Sequence, residues 1–129
     1  MKKTVLPIAL STVWISLSEF FRNQFWLNSY WTDHYANMGL VFPAEPFNGA
    51  VWGIWAMIFS ICLFVIAQKF SFTETAVLGW VIGFVLMWLV IGNLGVLPLG
   101  ILALAIPLSL LEVWVAVWII TRFSGARYA

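Results

Sequence analysis

Four apolar runs of about membrane-spanning length, at about 4–23, 49–68, 72–94 and 99–121, constrain this chain more than any other feature. A hydrocarbon core about 30 Å thick is crossed by about 20 helical residues, and each run has that length. Hydrophobic residues are 64% of the chain and charged residues 9%, against about half and a quarter in a soluble domain. A globule of 129 residues cannot hide that much apolar surface, so lipid must cover much of it. The expected fold is all-α: one four-span membrane domain over residues 1–129, with four transmembrane helices in a compact bundle.

The connections carry their own signals. The first run follows Lys2 and Lys3 and is read as a retained helix rather than a cleaved leader, because no Ala-x-Ala pattern precedes Glu19. Residues 24–48 form an amphipathic segment and loop. Leu27, Trp31, His34 and Met38 recur there at helical spacing, and Phe25, Trp26, Tyr30, Trp31 and Tyr35 suit a short amphipathic helix at headgroup level. Gly39 should end that helix, and the two prolines of Phe42 to Asn48 should make a loop. Ser71 and Glu74 match a capping box that starts the third span. Gly95, Pro98 and Gly100 mark the last tight turn.

Orientation follows from the basic residues. Lys2, Lys3, Lys69, Arg122 and Arg127 fall on one side and Arg22 alone on the other. The positive-inside rule then puts both termini in the cytoplasm, in a multi-pass protein of the cell's inner (plasma) membrane, with 24–48 facing out.

Each span carries a stripe of small or polar residues, which lets helix backbones approach in lipid. The stripes are Ala9, Thr12, Ser16, Glu19 and Asn23 in the first span, and Gly49, Gly53, Ala56, Ser60 and Ala67 in the second. They continue as Gly79, Gly83, Leu86, Val90 and Asn93 in the third, and Ala105, Ser109, Glu112 and Ala116 in the fourth. Helix packing accounts for most of these positions. Two carboxylates ask for more. A carboxylate near the bilayer centre costs about 3 kcal/mol on insertion scales and normally faces a partner or a hydrated cavity. Glu112 lies ten residues before Arg122, or roughly 15 Å of helix, which puts it near the midplane. It has no basic residue within reach on its own helix, so its partner must come from another span, with Glu19, Arg22, Ser16 and Asn93 the candidates. Glu19 and Arg22 are three residues apart and can pair on one helix face.

The expected ligand-binding set is therefore Glu19, Arg22, Asn23, Asn93, Ser109 and Glu112, around an outward-opening polar cavity. No catalytic residue is assigned, because nucleophile and phosphate-loop motifs are absent. His34 beside Asp33 is a weak metal candidate, with Glu19 and Glu112 as the carboxylates that would complete a set. No metal site and no cofactor is expected. One histidine cannot supply two axial haem ligands, and the single cysteine, Cys62, is read as packing. With net charge +1 and no basic run, nucleic acid is not a partner. The expected partners are the lipid bilayer and either further copies of the chain or another membrane protein.

This reading favours a small module of transporter or channel type that binds a small ligand, a cation or a proton. Its alternatives are an accessory subunit of a larger membrane complex and a small enzyme acting on a lipid or quinone. Catalysis is the less expected of the three.

Overall fold

The computed structural model describes residues 1–126, and these form five helices. We label them α1 (Lys2–Trp26), α2 (Asn28–Asn37), α3 (Pro46–Ala67), α4 (Phe72–Asn93) and α5 (Leu99–Ser124). All but α2 are long and apolar enough to cross a membrane. The chain is thus an all-α, four-span bundle with a short helix between the first two spans.

Local chemistry sets the boundaries. The backbone N–H of Ser71 donates to Glu74 Oε2 at 2.8 Å and its hydroxyl to the same oxygen at 2.7 Å, while the Glu74 N–H reaches back to Ser71 Oγ. That is the capping box expected at the start of α4. Gly39 and Gly95 end α2 and α4 at φ of 72° and 73°, a left-handed conformation that costs a glycine little. Two boundaries move. α3 starts at Pro46 rather than Gly49, because proline at a first helical position loses no hydrogen bond. Asn48 Oδ1 also accepts the Glu45 N–H there at 3.1 Å. At the other boundary, residues 24–26 belong to α1, and α2 begins only at Asn28.

α1 packs against α3 and α5, and α4 against the same two from the far side. The main core comprises Ile15, Phe59, Leu63, Phe84, Val113 and Val117 with their small neighbours. A smaller cluster of Leu27, Leu97, Ile101 and Ala105 lies at the α2 end. Gly79 and Gly83 meet α3 as their spacing suggested. A Cβ on Gly79 would fall 2.3 Å from Leu63 Cδ2, and one on Gly83 2.6 Å from Phe59 Cζ. Gly49 and Gly53 behave differently, since a Cβ on either meets nothing within 4 Å.

Two stripes depart from the spacing read in the sequence. On α1 the buried positions are Pro7, Ser11, Ile15 and Glu19, so Ala9 is exposed and Thr12 and Ser16 are only half-buried. On α4 the face turns midway. Val81–Val85 is a π segment, which takes an extra residue into the turn and rotates the rest of the helix. Phe84 is buried, whereas Leu86, Val90 and Asn93 are exposed. A second π segment, Phe21–Trp26, closes α1, where the Leu27 N–H donates to the Arg22 carbonyl at 2.8 Å.

The two ends of the described chain lie together. A Cβ on Gly125 would be 3.9 Å from Lys3 Nζ. Arg127, counted in the charge asymmetry, lies outside the described residues.

Candidate functional site

The last turns of α1 aim a set of polar side chains into the bundle. Ser18, Glu19 and Arg22 lie one helical turn or less apart, and Glu19 and Arg22 are each 5% exposed. Glu112 stands opposite on α5 and is fully buried. Arg22 bridges the two carboxylates: Nη1 donates to Glu112 Oε2 at 3.0 Å and Nη2 donates to Glu19 Oε1. Ser18 donates to the same Glu112 oxygen at 2.7 Å. The Arg22 guanidinium also lies 5.1 Å from the centre of the Phe84 ring, a cation–π distance. The indole N–H of Trp14 donates to the Glu112 carbonyl at 2.9 Å, tying α1 to α5 beside the cluster.

Asn23 carries the network outward. Its Nδ2 donates to Glu19 Oε2 at 2.9 Å, and its Oδ1 accepts from the Trp31 indole N–H on α2 at 3.1 Å. The π turn keeps Arg22 buried on this face while Phe21 and Phe25 point away.

The balance of the cluster is unequal. Two carboxylates share one guanidinium, and these are the only ion pairs among the described residues. Glu112 Oε1 is buried without a hydrogen-bond partner. A buried charge is tolerated when it is paired and its lone pairs are satisfied. Here one acidic oxygen lacks a donor, and one negative charge lacks a counter-charge if both carboxyls are ionised.

A cleft of about 440 Å3 opens from the Glu19–Arg22 side of the cluster at the α2 end, while Glu112 borders a separate recess with Trp14 and Ser18. Glu19, Arg22, Asn23 and Asn48 supply its polar wall, and Trp31, Tyr35, Phe42, Trp52 and Trp88 most of its aromatic wall. Trp31 stacks on Phe42 with ring centres 5.6 Å apart, and Tyr35 meets the same ring edge-on at 5.3 Å. The loop after α2 thereby folds over the cleft.

The structure brings Glu19, Arg22, Asn23 and Glu112 together and leaves the other two candidates apart. Asn93 is exposed, turned away by the π segment below it. Ser109 is buried one turn before Glu112, but its hydroxyl accepts from the Trp80 indole at 2.9 Å and donates to the Ile106 carbonyl. Ser18, in contact with Glu112, was missed in the sequence, although it precedes Arg22 by one turn and so shares its face. His34 Nε2 donates to the Gly95 carbonyl at 2.7 Å, fastening α2 to the α4–α5 turn. The grouping of His34 with Glu19 and Glu112 is not assembled, and among the described residues no three His, Cys, Asp or Glu side chains are placed to hold a metal.

Taken together, these features define a small polytopic membrane protein with an unbalanced acidic cluster inside its bundle. Comparisons with protein families, curated proteins and solved structures find no match. The site is therefore read from its own chemistry.

Proposed function

We propose that the protein is a cation-binding membrane module of transporter type, in which the Glu19–Arg22–Glu112 cluster holds either a proton or a cationic ligand. The observation that carries this reading is the charge deficit: two buried carboxylates, one guanidinium, and an acidic oxygen of Glu112 with no donor. A proton supplies the missing positive charge in the resting site, and a cation that binds in the cleft supplies it instead. The two therefore compete, and competition for one charge is what couples a cation to a proton. The aromatic wall suits an organic cation, which is attracted to ring faces. The cleft volume falls within the range of small-molecule sites.

The rest of the reading comes from topology. With Lys2, Lys3, Lys69 and Arg122 at one end of the bundle, the positive-inside rule orients that end to the cytoplasm of an inner (plasma) membrane and the cleft to the outside. Four helices enclose little volume, so a transport pathway would be built from two or more copies.

The test is proton release. Purified wild-type protein in weakly buffered detergent solution, given tetraphenylphosphonium, is expected to release protons in proportion to the cation bound. Glu112→Gln should keep the fold, because the amide preserves shape, yet release none. Cation binding by wild type without proton release, or equal release by the variant, would refute the reading.

A further inference from the structure

We infer that the ligand of this site is a single-tailed amphipathic ammonium that enters sideways from the bilayer, its head at Glu19 and its chain in a groove between α1 and α3. The inference rests on the cation-binding function proposed for the cluster and adds the form of the ligand and its route.

A second cleft, of about 420 Å3, runs down the bundle flank beside the first. Ser16 and Phe20 of α1 form one side, and Gly49 and Gly53 of α3 the other. The two clefts share Glu19, Asn23, Gln24, Asn48 and Trp52 in their walls, so they meet at the acidic cluster. From Asn23 to Ser16 the groove runs along about 10 Å of helix.

The glycines are what open it. On α4, Gly79 and Gly83 are pressed against α3 side chains, and their missing Cβ atoms permit close packing. Gly49 and Gly53 are spaced the same way, yet no atom occupies the place of either Cβ. Their smallness serves an open space, and that space ends on a carboxylate. Phe20, 66% exposed at the groove rim, marks this flank as facing lipid.

Charge complementarity selects the occupant. The groove presents two carboxylates, the exposed Glu45 and Glu19, whose cluster is short of one positive charge, so an ammonium head is drawn in and a fatty-acid carboxylate is repelled. A phospholipid amine brings its own phosphate to the same carboxylates and is disfavoured. The apolar groove takes the chain, and Trp52, lining both clefts, meets the head–chain junction. A ligand of this kind never has to leave the bilayer to reach the site.

Photolabelling in phosphatidylcholine nanodiscs tests this. One probe is dodecyltrimethylammonium with a diazirine midway along its chain; the other is a short alkyltrimethylammonium with a diazirine near its head. The chain probe should label the segments around Ser16–Phe20 and Gly49–Gly53 saturably, and the head probe the cleft near Glu19. Gly53→Leu, or Gly49→Leu if that variant folds better, projects a side chain into the groove from a Cβ position with nothing within 4 Å. Either should cut chain-probe labelling at least tenfold and leave head-probe labelling intact. Labelling spread evenly over all lipid-facing residues, loss of both probes on filling the groove, or full competition by phosphatidylethanolamine would overturn the inference. Glu19→Gln separates the two claims. If it leaves both probes bound, the cation-binding reading fails, whereas unchanged chain labelling in Gly53→Leu alone removes only the lateral route.

Discussion

Arg22 is the residue on which the interior depends. Among the described residues it is the one positive charge paired with Glu19 and Glu112, and removing it leaves two buried carboxylates facing each other. Breaking a buried ion pair from one side costs about 3–5 kcal/mol, mostly because the orphaned charge stays buried. Arg22→Met should therefore lower thermal stability sharply in detergent. The same change in a Glu112→Gln background should cost clearly less, because one of the two orphaned charges is already gone. Equal losses in both backgrounds would show that Arg22 stabilises through its packing on Phe84. Much of this was legible in the sequence. A glutamate near mid-membrane must find a polar neighbour, and Arg22 was among the few groups able to reach it. Ser18 was not foreseen, because the polar stripe on α1 was traced through Ser16 while the buried positions run through Ser11, Ile15 and Glu19.

At the scale of the helices, legibility depends on how local the cause is. The Ser71 cap and the Gly39 and Gly95 stops arise from neighbouring residues and are found where they were expected; the four spans are present too, although the first runs on to Trp26 and the second starts at Pro46. The π segments at Phe21–Trp26 and Val81–Val85 have no such local code. They adjust each helix to its neighbours, and each rotates the residues beyond it by about 100°, one residue's share of a 3.6-residue turn. That rotation carries Asn93 to the surface, and within the segment itself Phe84 lies under Arg22. Just inside this segment sits Gly83, whose Cβ would lie 2.6 Å from the Phe59 ring. Gly83→Leu should destabilise the bundle by at least the roughly 1–3 kcal/mol of an overpacked core, read as reduced thermal stability and yield. Gly53→Leu, with open space at its Cβ, should not. Equal stability of the two variants would mean that α3 and α4 do not pack as described.

For the molecule as a whole, the orientation we propose predicts that a cysteine at Asp33 reacts with an impermeant reagent added to intact cells, while one at Lys69 does not. The reverse pattern would invert the protein and point its cleft at the cytoplasm. Arg22 bears on this in a further way. It was counted as the lone basic residue of the outer side, but it is spent inside the bundle on two carboxylates. The stretch from Asn23 to Gln68 then holds no lysine or arginine, only Asp33 and Glu45, both exposed. The α2 end of the bundle thus has an acidic rim, on which Glu45 borders the flank groove. Such a rim gathers cations from solution, and its reach shrinks with the screening length, about 10 Å at moderate salt. Arrival of a dissolved cation at the site should accordingly slow as ionic strength rises, whereas a ligand already in the bilayer, approaching along α1 and α3, is much less exposed to that screening.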